Sequence, residues 1–217
     1  MKKRVLRSFP VAVALAAFGS GAAAQQVETR PWFDAKLGVA LSSRLVRDAV
    51  ASKVVGDSIP VDFASPVDVK LRPSPVITLS AGFPLSGRSA VEASASYGLG
   101  RIFATDGAAE WDVQDAGLAT AIVGLRQTVK PWLDLHGGVG ATKFFSESRG
   151  LFSAGSDVQP IFEVGASTQF DLPVRVLLDA RLQAHTFGTE ALRQDGASDG
   201  RVMRLVIQGG VRAGGGR

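Results

Sequence analysis

Along most of the chain, apolar side chains recur at every second position, the period of a β-strand with one apolar face rather than the 3.6 of a helix. In 33–43, Phe33, Ala35, Leu37, Val39 and Leu41 alternate with Asp34, Lys36, Gly38, Ala40 and Ser42. The same pattern returns on Ile77–Leu85, Val91–Leu99, Ala119–Leu125, Leu133–Ala141, Phe162–Phe170, Val174–Ala184 and Met203–Val211. These eight segments are each roughly ten residues long, the length a tilted transmembrane strand needs.

The connections alternate in length. Ser86-Gly87-Arg88-Ser89, Lys130-Pro131 and Leu172-Pro173 are tight turns with Gly or Pro punctuation. The other four, near 46–75, 104–116, 146–160 and 188–201, are longer and polar. Short turns on one side and long loops on the other predict an all-β fold. It is an eight-stranded antiparallel transmembrane β-barrel with short periplasmic turns and longer extracellular loops. A soluble lipocalin-like barrel is the competing fold, but it carries its apolar parity inward and its polar parity outward.

Aromatic residues gather at the strand ends. Trp32, Phe33, Phe83, Trp132 and Phe170 lie beside the short turns; Phe103, Trp111, Phe144, Phe145, Phe162 and Phe187 lie at the opposite ends. Two girdles around a band of Ala, Val and Leu fit the interfacial preference of aromatic rings.

Charge changes meaning once it is located. The chain of 217 residues has a formal net charge of +4. Lys2, Lys3, Arg4 and Arg7 precede the first acid, Glu28, and without residues 1–24 the balance is 20 basic to 20 acidic side chains. The cationic start, the apolar run Val11–Phe18 and Ala22-Ala23-Ala24 have the layout of a secretory signal peptide cleaved after about Ala24. Eight apolar residues are too few for a spanning helix. The division expected is a signal peptide at 1–24 and an outer-membrane barrel domain at 25–217. Nucleic acid is not an expected partner, because the basic excess is confined to the leader. The absence of cysteine excludes a disulfide scaffold, thiolate metal sites and a Cys nucleophile.

Val123-Gly124-Leu125-Arg126, Pro131-Trp132-Leu133 and Gly137-Gly138-Val139-Gly140 give the chain its family likeness. It resembles the small eight-stranded outer-membrane barrels of the OmpA/OmpX kind, within the outer membrane protein beta-barrel domain group, over about residues 30–213. The resemblance implies insertion by the outer-membrane assembly machinery, contact with outer-membrane lipid and lipopolysaccharide, and a monomeric barrel. Such barrels usually end in an aromatic residue; this chain ends Ala213-Gly214-Gly215-Gly216-Arg217.

Eight strands enclose an interior that side chains can fill. The inward parity carries Lys36, Arg44, Arg126, Arg175, Arg181, Arg204 and Arg212 against Asp34, Glu92, Asp134, Glu163, Asp171 and Asp179, with His136 among them. Near-balance of signs predicts a plug of paired charges, whereas a selective pore shows one sign at its constriction. Ile122, Leu177 and Val206 share the inward parity as a small apolar layer or part of a ligand cavity.

Catalysis on envelope lipid is an expectation from another class. It would need a histidine beside a Ser and a carboxylate. His136 and His185 are the only histidines, and both read more naturally as hydrogen-bonded fillers. No phosphate loop or zinc motif is present, so no cofactor or metal is expected. The leading reading is an envelope-structural or surface-interaction protein acting through its loops. A lipid A-modifying enzyme and a narrow channel are the alternatives. Val67-Asp68-Val69 in the first loop suggests strand extension above the membrane.

Overall fold

The computed structural model describes residues 30–49, 67–146, 158–171, 174–185 and 202–215. The leader, the cleavage position, the Leu172-Pro173 turn and much of three long loops lie outside them. Ten strands form: β1 (Trp32–Ser42), β2 (Arg44–Ala49), β3 (Val67–Leu71), β4 (Ser74–Ser86), β5 (Ser89–Thr105), β6 (Glu110–Lys130), β7 (Leu133–Ser146), β8 (Gln159–Asp171), β9 (Arg175–His185) and β10 (Val202–Gly214). Every pairing is antiparallel, and the order β4-β1-β10-β9-β8-β7-β6 closes through β5, which pairs with both β4 and β6. Eight staves therefore make a closed barrel, which leaves no open edge in its wall.

Alternation in sequence becomes the two faces of the wall. In β1, Phe33, Leu37 and Val39 are exposed outward while Trp32, Asp34 and Lys36 are buried. Leu79, Val123, Val139 and Val164 continue the outward apolar band around the barrel. A large apolar surface facing outward and a charged interior are the arrangement suited to lipid rather than water. Among the described residues, no helix is long and apolar enough to cross a membrane; crossing is by strands.

The two extra strands belong to the first long connection. β2 pairs with β3, and β3 takes over from β4 as the partner of the outer end of β5, with Leu71 opposite Ile102. The strand extension expected at Val67-Asp68-Val69 is present. The second long connection is shorter than expected: β5 and β6 stay paired out to Thr105 and Glu110, so only 106–109 turn. A register shift between Ile102 and Phe103 hides the alternation there. The tip is a compact turn in which Asp106 accepts hydrogen bonds from the Ala108 and Ala109 amides and Gly107 takes a φ of 93°.

Candidate functional site: the filled lumen

The interior is built in two tiers. Toward the short turns lies a knot of ionised side chains contributed by every stave except that of β4. Lys36 Nζ is 2.5 Å from Asp179 Oδ2 and 3.9 Å from both Asp34 and Glu92. Arg126 bonds Glu92 through Nε at 2.6 Å, Asp134 at 3.1 Å and the Ser167 hydroxyl at 2.8 Å. Arg181 joins three carboxylates: Asp179 at 2.8 Å, Glu163 at 2.9 Å and Glu92 at 3.0 Å. Arg212 forks onto both oxygens of Asp34 at 2.8 and 3.0 Å. Four cations thus hold five carboxylates. His136 stands between two of the latter, with Nε2 3.2 Å from Asp179 and Nδ1 3.9 Å from Glu163.

This arrangement follows from the register. Strand pairing places Arg212 directly opposite Asp34, while Lys36 and Asp179 meet from strands that are not neighbours. Charges this far from water persist when each is paired and its remaining donors are bonded. Amide side chains extend the network: Gln183 donates to Glu163 at 2.7 Å and Gln208 to Thr78 at 2.7 Å. The His136 ring lies against Gly165, where any side chain would collide with it.

At the periplasmic mouth Trp32 turns inward and is almost fully buried. It does not join the girdle expected of it. Its ring lies under the Arg212 guanidinium, 4.7 Å from the centroid, and over Gly82. The reason is parity: Trp32 shares the inward side of β1 with Asp34, and a ring there floors the lumen. Phe33, Phe83, Trp132, Phe145, Phe162 and Phe170 do face outward. Phe103 is buried beneath Arg72, 4.5 Å from its centroid, and Phe144 is buried on the inward parity. The Trp111 side chain and Phe187 lie outside the described residues.

The outer tier is apolar. Ala40, Val76 and Val206 form a buried cluster, and Ile102, Leu118, Phe144, Ile161 and Val202 are buried on the inward parity near the outer ends of their strands. The sequence places Ile122, Leu177 and Val206 on this parity; Phe144, expected in the outer girdle, joins them inside. His185 and Arg204 are buried in the same outer half. Asp134 sits half-buried at the rim of the knot on Arg126 and Thr128. Arg175, also half-buried, reaches the Gly214 and Gly215 carbonyls at 3.4 and 3.3 Å. The side chains of Arg44 and Asp171 lie outside the described residues. No group of His, Cys, Asp and Glu suited to a metal ion occurs among the described residues.

Above the apolar band, β2, β3, β5 and β6 continue as a small sheet. Its outer surface carries an alternating chain of charges: Glu110 with Arg72 at 3.0 Å, Arg72 with Asp112 at 3.0 Å, Asp112 with Arg101 at 3.1 Å and Arg101 with Asp115 at 2.8 Å.

A closed eight-stave wall, apolar outside and filled with paired charges, is the architecture of an outer-membrane barrel. The fold is that of the small eight-stranded outer-membrane proteins. The chain is similar in structure to the attachment invasion locus protein Ail of Yersinia pestis in complex with the heparin analogue sucrose octasulfate, at 13% identity and a TM-score of 0.48 over 84% of this chain and 99% of that one. It is similar also to the outer membrane protein OprG from Pseudomonas aeruginosa, at 13% identity and a TM-score of 0.46 over 88% and 98%. A third is the outer membrane protein AlkL, at 16% identity and a TM-score of 0.41 over 90% and 93%. No protein-family model matches the sequence, and no curated protein matches it.

Proposed function

We propose that the protein is a non-conducting outer-membrane scaffold that works through the sheet it raises above the membrane. The observation that carries this reading is the filling of the lumen beneath that sheet. An ionic knot and an indole floor close its inner half, and buried apolar side chains line its outer half around His185 and Arg204. A channel needs a continuous polar path, and here each charge of the inner-half knot is held by an opposite one.

β5 and β6 run 17 and 21 residues, well beyond the roughly 9–11 that span a bilayer as a tilted strand. Their surplus length presents the Arg72–Asp112–Arg101–Asp115 chain to the outside as a stiff display surface. Both histidines are buried inside the wall, out of reach of a membrane lipid, which favours a scaffold over a lipid-modifying enzyme. Outer-membrane lipid and lipopolysaccharide are the surroundings of the apolar band in this reading.

Two measurements test it together. In planar bilayers the folded protein is expected to show no steady ion conductance. Cells carrying a variant with residues 103–112 replaced by a two-residue turn are expected to lose adhesion or detergent resistance, while the barrel keeps its heat-modifiable migration. Steady conductance by the wild type, or altered lipid A acylation on deletion with the shortened variant behaving as wild type, would overturn the reading.

A further inference from the structure

Arg204 stands apart from the other cations of the lumen. Lys36, Arg126, Arg181 and Arg212 each touch a carboxylate. Arg204 is 3% exposed, on the inward parity of β10, and no described carboxylate pairs with it; its Nη1 has no hydrogen-bond partner. The guanidinium reaches across the lumen to β5, where its Nη2 would lie 2.8 Å from a side-chain carbon at Gly98.

The described groups packed around it do not neutralise it. Gln183, directly opposite on β9, gives its amide nitrogen to Glu163 and leaves Oε1 without a donor. The diagonal neighbours on β9 are Arg181, a second cation, and His185, buried on the same wall. β1 and β4 contribute Ala40 and Val76, and β10 itself Val206. The surplus carboxylate of the knot has His136 beside it, 3.2 Å from Asp179. A buried guanidinium stays charged and requires an opposite charge as well as an acceptor. Water supplies only the second.

We propose that Arg204 anchors a site for one small anion, a halide or the carboxylate group of a small solute, in the outer half of the lumen. Nη2 and Val76 close on the bare backbone of Gly98, so that side of the guanidinium is filled and the orphaned Nη1 is the donor left to an anion. The anion completes the charge pairing that every other buried cation of the lumen obtains from the chain itself.

The test uses the full folded protein in detergent. Crystals soaked in bromide are expected to show an anomalous peak within about 3.5 Å of the Arg204 guanidinium, in keeping with charge-assisted contact distances. The midpoint of the heat-modifiability transition is expected to rise by about 3–6 °C in chloride or in acetate over gluconate, at equal ionic strength and about ten times the Kd. The larger rise of the two tells a halide site from a carboxylate site. Arg204→Met abolishes the dependence, and Arg204→Lys retains part of it. No bromide peak with midpoints independent of the anion would mean that water fills the site or that the knot's surplus charge acts at a distance, and overturns the proposal. So does an anion dependence that persists in Arg204→Met.

Discussion

The indole of Trp32 and the bare backbone of Gly82 are one fitted pair: the ring occupies the volume that a side chain at position 82 would take, with Arg212 stacked on its far face. β1 and β4 are hydrogen-bonded neighbours with Trp32 opposite Gly82, so the fit is set by register. Gly82→Val therefore displaces the ring and opens the floor of the lumen. The expected cost is about 1–3 kcal/mol, the range for overpacking a filled site. The heat-modifiability midpoint reads the loss. A Trp32-only background (Trp111→Phe, Trp132→Phe) reads the displacement as a red-shifted, more quenchable fluorescence. Unchanged emission in that background would contradict the fit.

Arg181 is the hub of the knot, holding Asp179, Glu163 and Glu92 at once. Arg181→Met leaves five carboxylates facing three cations and is expected to cost about 3–5 kcal/mol, the range for stranding a buried charge. Arg181→Lys recovers only part of this, because an ammonium cannot fork onto several carboxylates. Adding Glu163→Gln to Arg181→Met removes one stranded charge and is expected to return about 1 kcal/mol or more as a coupling energy. Urea unfolding in lipid vesicles of the wild type, these three variants and Glu163→Gln alone measures each cost and closes the cycle. Strict additivity would mean that Glu163 and Arg181 do not depend on each other.

How much of this was legible depends on what each residue's position encodes. Alternation alone placed Asp34, Lys36, Glu92, Asp179 and Arg181 inside, because a strand in lipid has only two faces. The same alternation put Trp32 inside, and only its nearness to a turn suggested the girdle; the two cues conflicted and parity prevailed. Which carboxylate meets which cation was not legible. Lys36 and Asp179 are 143 residues apart, and their meeting depends on how far each stave is staggered against the next. The outer apolar tier was obscured differently. Ile102, Leu118 and Phe144 lie near the outer strand ends, where Phe144 read as a girdle ring and the register shift after Ile102 ended the regular period of β5 against β6.

Asp112 sits outside the membrane span, between two arginines, and hydrogen bonds from Arg72 and then Arg101 hold its carboxyl below the usual range. A carboxyl with a lowered folded-state pKa stabilises the structure above its unfolded value near ~3.9 and loses that contribution as pH falls through the folded one. The display hairpin is thus expected to stay ordered at neutral pH and to loosen only in strong acid. The pair is fully solvent-exposed, so salt also weakens it. Carbon-detected titration of Asp112 gives its midpoint, and amide exchange at 103–112 gives the order. Asp112→Asn should bring neutral-pH exchange to the level the wild type reaches in acid. A titration midpoint at the ordinary carboxylate value would show that the two arginines do not hold Asp112.

Val123 and Leu85 separate the middle of the apolar band from its edge. Val123 lies opposite Ala93 on β5 and Val139 on β7, well away from either end of the wall, and its side chain is exposed outward. Leu85 is equally exposed but belongs to the last residues before the 86–89 turn. A charge on the lipid face costs about 2–4 kcal/mol at the bilayer midplane and about 0–1 kcal/mol near the interface. Val123→Arg is therefore expected to destabilise the barrel in lipid vesicles by the larger amount and Leu85→Arg by the smaller. In a thin-core detergent micelle the difference shrinks, since the micelle lets an arginine reach water from either depth. Trp132, on the β6–β7 turn, gives a third point: Trp132→Ala removes an interfacial ring beside Lys130, whose ammonium lies 5.7 Å from the ring centroid. The graded cost Val123→Arg over Leu85→Arg is the signature of a bilayer around this wall. Equal costs for the two arginines would place the band in water and would require the exposed Phe33, Leu79 and Val139 to be covered by protein instead.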